Sequence, residues 1–397
     1  MPPFFYPFSM KRELAIEFLK RCSTASGFVA SPIQQDNYHR IWSRDAVIMG
    51  LSAALSNNAE LVGTLRESIQ TLADFQAEDG QIPSNVDFIN KKASYGTLVG
   101  RVDATTWWII GACISIKNEP HLFLEWKLKI EKAFSVLHSW EMNHRGLIYT
   151  PMGGNWADEY VTEGYVLYDQ LLRLWAYKAF LKIESSDSIE SEKVQLEKRI
   201  VSNYNLHSFG EEHYHEIAFQ KLNERPTYPA AALKPSGYDT RWDMAANALA
   251  LLMKLPFDLN GITSFLKDRE SEFQHNLYPV FFPIIEKTDW EWRQLENNHL
   301  YEFKNKPHCF HNGGAWPVFL GLLSLGLSCN GENEIPTKIW NDFDTLTNKF
   351  PNALFTEYWN TKERTPGGVT ELGFSAAGTV FMTIATTMNY DLKDLLL

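Results

Sequence analysis

Ala104-Thr105-Thr106-Trp107-Trp108-Ile109-Ile110-Gly111-Ala112-Cys113-Ile114-Ser115-Ile116 runs into the short polar turn Lys117-Asn118-Glu119-Pro120, and a second helical stretch, Phe123 to Trp140, follows. In front of the first helix lies Ala77 to Arg101, a long segment with no regular pattern of its own. This unit of long loop, helix, short turn and helix recurs along the chain.

Helical periodicity is read at Met10 to Cys22, Ala46 to Leu55, Glu60 to Phe75, Val161 to Leu181, Ser191 to Ile200, Met244 to Leu255, Trp316 to Leu327, Lys338 to Phe350 and Phe374 to Met388. Ala46 to Leu55 is almost wholly small and apolar, so burial on most faces is expected. Alternating strands are scarce. The other long loops are Ser31 to Arg44, Tyr149 to Tyr160, Thr227 to Arg241, Asn276 to Gly314 and Thr356 to Leu372, rich in Gly, Pro and Trp. Long unstructured connections usually carry function. Their alternation with short turns predicts helical hairpins whose long loops emerge at one end. About twelve helices so arranged make an all-α fold, an (α/α)6 barrel with a cleft at one end, and one domain is expected over 1–397.

Of 397 residues, 45% are hydrophobic and 21% charged, which is globular composition. The net charge of -11 disfavours nucleic acid and anionic membranes as partners. Cys22, Cys113, Cys309 and Cys329 form no C-x-x-C pair and read as reduced, buried thiols. Met1-Pro2-Pro3-Phe4-Phe5 lacks the pattern of a secretory leader, and no apolar run is long enough to span a bilayer, so the default location is the cytoplasm. A homo-oligomer is left open, and no cofactor is expected.

Two carboxylates stand out. Asp158 lies in Gly153-Gly154-Asn155-Trp156-Ala157-Asp158-Glu159-Tyr160, and Glu357 in Phe355-Thr356-Glu357-Tyr358-Trp359. Two acids among aromatic rings suit cleavage of a glycosidic bond: one holds a proton for the leaving oxygen, one activates water, and rings stack on sugar C–H faces. Shielding by Trp156 and Tyr160 is expected to raise the pKa of Asp158, with Glu159 next in line as the acid. Substrate contacts are expected from Trp42, Arg44, Asp45, Asp103, Trp156, Asp239, Arg241, Trp292, Arg293, His311 and Asn312. For Asp45, Asp103 and Asp158 the competing reading is a helix cap. Glu211-Glu212-His213-Tyr214-His215-Glu216 has the wrong spacing for a metal face, and no metal site is expected.

These segments, in this order, resemble the (α/α)6-barrel glycosidases that include glucoamylases and trehalases, and most closely glycoside hydrolase family 100, the alkaline/neutral invertases. The resemblance runs from about Arg44 to Met388. It is carried by Arg44-Asp45, Val102-Asp103 with Trp107-Trp108, Asp239-Thr240-Arg241-Trp242, Trp292-Arg293, and His311-Asn312-Gly313-Gly314-Ala315-Trp316-Pro317. It implies a cytosolic enzyme that hydrolyses sucrose with inversion, its acid at Asp158 and its base at Glu357. Two departures bear on the sugar subsites. The family's acid is usually followed by two arginines, where Glu159-Tyr160-Val161 stand here, and the segment from Glu291 to Asn312 differs in length and content. Sister activities are an α-glucosidase or trehalase-like enzyme and a glycosylglycerate hydrolase; a degenerate, non-enzymatic sugar-binding barrel is the alternative of another class.

Overall fold

The computed structural model describes residues 8–387 and 392–397; the expectations for Met1-Pro2-Pro3-Phe4-Phe5 and for Met388 fall outside them. Its helices are α1 (Phe8–Arg21), α2 (Ser43–Leu55), α3 (Ala59–Ala73), α4 (Val102–Asn118), α5 (Leu122–Ser139), α6 (Leu167–Leu181), α7 (Asp187–Tyr204), α8 (Glu216–Gln220), α9 (Met244–Leu252), α10 (Leu259–Phe273), α11 (Trp292–Asn297), α12 (Pro317–Cys329), α13 (Glu334–Lys349) and α14 (Gly373–Thr387). The short α8 and α11 belong to loops. The others alternate between an outer and an inner layer.

The inner helices touch in the cycle α2, α4, α6, α9, α12, α14 and back to α2, which closes a ring. They are buried on nearly every face: α4 from Val102 to Ile116, α12 from Pro317 to Leu327. The outer helices are amphipathic. α13, for example, buries Ile335, Ile339, Phe343 and Leu346 at helical spacing and leaves its polar face outside. This is the (α/α)6 barrel.

Connections within 56–58, 119–121, 182–186, 253–258 and 330–333 are short turns from inner to outer helices. Three of the outer helices they feed are capped by side chains, Asn58 for α3, Ser186 for α7 and Asp258 for α10. The opposite connections, 22–42, 74–101, 140–166, 205–243, 274–316 and 350–372, are long, and each enters the N-terminus of an inner helix. All six long loops therefore gather at one end, where helix N-termini present partial positive charge.

Short strands lie within these loops: Ile41–Trp42 with Asn85–Asp87 and Lys92–Ser94, Tyr165–Val166 with Ala232–Lys234 and Gly237–Asp239, Trp242–Asp243 with Phe281–Phe282, and Tyr358–Trp359 with Pro366–Gly367. Two or three residues are too few to display a period of two. The α10 helix also escaped the sequence reading, because it buries only Gly261, Ile262 and Leu266. α6 begins at Leu167, not Val161, since Tyr165–Val166 pairs as a strand first. All four cysteines are free; Cys22 and Cys113 are buried, whereas Cys309 and Cys329 are half-buried, against the expectation for all four. Among the described residues no helix is long and apolar enough to cross a membrane.

Candidate active site

The Asp158 loop is tied to the first turn of α4. Arg101 Nη2 donates to Asp158 Oδ2 at 2.8 Å and its Nη1 to the Gly153 carbonyl at 2.7 Å. Val102 N donates to the Gly154 carbonyl at 2.7 Å. Asn155 Nδ2 and Thr150 Oγ1 donate to Asp169 Oδ2 at 3.0 and 2.8 Å, anchoring the loop to α6. Asp158 is thus neither a cap nor immediately ahead of a helix.

The Glu357 loop is an antiparallel pairing with the chain at 366–369. Glu357 N donates to the Val369 carbonyl at 2.7 Å, Val369 N to Glu357 Oε2 at 3.3 Å, and Tyr38 Oη to Oε1 at 2.9 Å. Gly368 takes φ +72°, and any side chain there would overlap the Glu357 carboxylate. Glu357 and Asp158 lie within reach of each other's charge, and the Tyr38 hydroxyl senses both along with Asp45.

Electrostatics separate the two acids. Burial is the largest influence on each and pushes each upward. At Asp158 it is outweighed by Arg101, helped by Arg44 and Lys304, and the carboxyl sits below its ordinary range. At Glu357 Lys304, Tyr38 and Val369 do not outweigh burial, and the carboxyl sits above it. The expected upward shift of Asp158 is therefore corrected. Tyr160 turns its hydroxyl to Arg241, Trp156 packs in the core, and a guanidinium occupies the carboxylate. Glu159 beside it is pushed up to about 7, by burial first and then by the charge of Asp158, and its Oε2 is buried without a hydrogen-bond partner.

Arg44, Asp45 and Asp103 join this cluster. Arg44 Nη1 meets Asp103 Oδ2 at 2.8 Å, and its Nε lies 3.9 Å from Asp45 Oδ2. Neither acid serves as the side-chain cap of its helix; the N-cap positions of α2 and α4 are Trp42 and Arg101, with no side-chain cap bond. Burial pushes Asp45 up to about 6. Asp103 Oδ1 is buried and unpartnered, as is His311 Nδ1. His311 stacks on Trp316 at 5.3 Å and is neutral, burial driving its pKa down to about 3. Buried polar atoms without partners are what sugar hydroxyls would satisfy.

Other expected contacts fall elsewhere. Asp239 Oδ1 pairs with Arg241 Nε at 2.7 Å, and Arg241 reaches Glu291 Oε1 at 2.6 Å and Tyr160 Oη at 3.1 Å. This buried network braces Tyr160, two residues beyond Asp158. Trp292 is buried edge-on to Phe303, at 5.5 Å. Trp42 is half-buried and donates Nε1 to the Asn37 carbonyl at 3.0 Å. Trp156 offers no open face to a sugar. It stacks on Phe281 at 5.5 Å, packs on Phe319 at 4.4 Å and props His311. Asn312 spends its amide on the backbone, accepting from Ile285 N at 2.8 Å and donating to the Ile285 and Asn305 carbonyls. Arg293 points to solvent, because α11 turns Trp292 and Leu295 inward.

Sequence reasoning missed Tyr38, Arg101 and Lys304. Arg101 was visible in Arg101-Val102-Asp103 but unassigned; Tyr38 and Lys304 carried no signal beyond membership of long loops. In the Glu211–Glu216 segment, His213 stacks on Phe219 while His215 accepts from Ala218 N, so the rings serve different local purposes. Among the described residues no group of three or more His, Cys, Asp or Glu could hold a metal ion.

The profile of the family described as "Alkaline and neutral invertase" matches residues 173–371, half of the chain. Cytosolic invertase 1 of Oryza sativa subsp. japonica is 22% identical over 89% of this chain and 72% of its own length. The chain spans 66 to 72% of the relatives it matches most fully, from that rice and Arabidopsis thaliana. Among solved structures, a bacterial glucoamylase complexed with acarbose shares the fold at a TM-score of 0.66 and 14% identity, over 98% of this chain and 58% of its own. Mannosylglycerate hydrolase from Thermus thermophilus does so at 0.59 and 14%, over 94% and 99%.

Proposed function

Because the chain belongs to the alkaline and neutral invertase family, we propose that it is an inverting glycoside hydrolase acting on a small α-glucoside, with sucrose the first candidate. Asp158 donates a proton to the glycosidic oxygen as the bond to the anomeric carbon breaks. Glu357 takes a proton from a water that attacks that carbon from the opposite face. Tyr38 and Val369 N hold the Glu357 carboxylate by its two oxygens, which aims the base. Asp45, Arg44, Asp103 and His311 receive hydroxyls of the sugar that is not released first.

One observation carries this reading: two carboxylates from distant loops at the inner-helix N-termini lie within reach of each other's charge, each fixed by its own set of donors. We infer that the protein works in the cytosol, where the name of the rice relative puts that protein.

Incubation with sucrose, trehalose, maltose and small glucosides, with product identification, tests the reading. Release of glucose from at least one is expected. Binding of sugar without any release would leave a non-enzymatic barrel.

A further inference from the structure

We propose that Lys304 makes the leaving-group end of this cleft an anion site, so that the departing half of the preferred substrate carries a carboxylate or phosphate. The proposal deepens the hydrolase reading and rests on it.

The loop after Asp158 and the loop that carries Lys304 meet in space. Asn305 Nδ2 donates to the Glu159 carbonyl at 2.6 Å, and Asn298 Nδ2 to the Tyr160 carbonyl at 2.9 Å. The loop carrying Lys304 is thereby fastened across the loop carrying Asp158. Lys304 is half-buried, its Nζ is 5.2 Å from the centre of the Phe310 ring, and its charge acts on Asp158, Glu159, Glu357 and His311.

The other cations of this region are occupied. Arg44 is held by Asp103, Arg101 by Asp158, and Arg241 by Asp239 and Glu291. Lys304 has no carboxylate within 4.0 Å among the described residues. An ammonium that no carboxylate holds in a direct pair keeps its N–H donors for a ligand.

Position assigns that ligand to the leaving half. Asp45, Asp103 and His311 are 8%, 0% and 1% exposed and form the deep end. Lys304 and Glu159 are half-buried, toward the mouth, through which the released half must exit. Glu159 fits the same role. Its unpartnered Oε2 can donate a hydrogen bond to an anion while the carboxyl keeps its proton, up to about pH 7. The charged groups facing it are Asp158, Lys304, Arg101 and Glu357.

The test compares matched substrates. Glucosylglycerate and glucosylglycerol differ by one carboxylate; sucrose phosphorylated on its fructose and sucrose differ by one phosphate. The expected result is a kcat/KM at least tenfold higher for the charged member of one pair, and that pair names the anion. The ratio should fall toward one in Lys304→Met and be restored in Lys304→Arg. It should also shrink between pH 6 and pH 8 as Glu159 ionises. Equal use of charged and neutral members would overturn the proposal and leave the hydrolase reading standing. If no substrate is cleaved, the hydrolase reading fails, and titration with D-glycerate and inorganic phosphate decides the anion site. Saturable binding weakened tenfold by Lys304→Met supports it; binding that is absent or indifferent to the substitution overturns it.

Discussion

The Asp158 and Glu357 loops solve one problem in opposite ways. Both hold a carboxylate at the mouth of the barrel, half-buried at Asp158 and buried at Glu357, and both turn on a glycine with positive φ, Gly153 at +70° and Gly368 at +72°. Asp158 is gripped by a cation, Arg101, whereas Glu357 is gripped by neutral donors, Tyr38 and Val369 N. The first therefore sits below the usual carboxylate range and the second above it. A general acid must hold its proton and a general base must lack one. In the free protein the bias runs the other way, so Asp158 protonated with Glu357 ionised is a minority form. The lesson is that the free-state proton affinities are set by what keeps each loop in place.

Removing either carboxyl gives the largest effect. Asp158→Asn and Glu357→Gln are each expected to reduce kcat by about a thousandfold with little loss of folding, since acid–base catalysis is lost at nearly constant volume. Steady-state kinetics with a thermal melt checks both. Near-normal turnover in Asp158→Asn would hand the acid role to Glu159.

Gly368→Ala comes next. The added methyl meets the Glu357 carboxylate and forces a left-handed backbone on alanine. Displacing a catalytic group by about 1 Å costs on the order of a hundredfold, so kcat should fall by about tenfold to a hundredfold. An unchanged kcat would mean that the base does not depend on this loop.

Arg101→Met sharpens the contrast between the two loops. With the cation gone, burial dominates, and Asp158 should titrate higher while Glu357 shifts little, as read from carboxyl carbon-13 chemical shifts. The sign for stability follows. A lowered folded-state pKa at Asp158 contributes stability that is present above its unfolded value and lost as pH falls through the folded one. Arg101→Met should therefore lose more stability at pH 6 than at pH 3. Asp158 staying low without Arg101 would contradict this assignment of cause. The smallest effect is expected at Arg293, where replacement by Ala should change kcat/KM less than about twofold because the side chain faces solvent.

Much of this was legible in the sequence, and the failures have physical reasons. The alternation of long and short connections reports the barrel because each inner helix must be apolar all round and each outer one on a single stripe. α10 was missed because its buried stripe is nearly empty. Asp158, Glu357, Asp45, Arg44, Asp103 and His311 were singled out from residue type and aromatic context, and the structure brings these six together. Arg101, Tyr38 and Lys304 could not be assigned, because a role such as that of Tyr38 depends on a partner 319 residues away. Residue type does not reveal whether an amide is already spent on backbone, as at Asn312, or which face of a short helix turns outward, as at Arg293.

The most direct test of the central claim is the anomer released first from an α-glucoside, followed by proton NMR on fresh product. With Glu357 activating water against the face opposite Asp158, the carboxyl groups stand about 6.5–9.5 Å apart in an inverting site. β-Glucose is expected to appear before mutarotation supplies the α form. α-Glucose appearing first would mean a retaining mechanism and would contradict the roles given to both carboxylates.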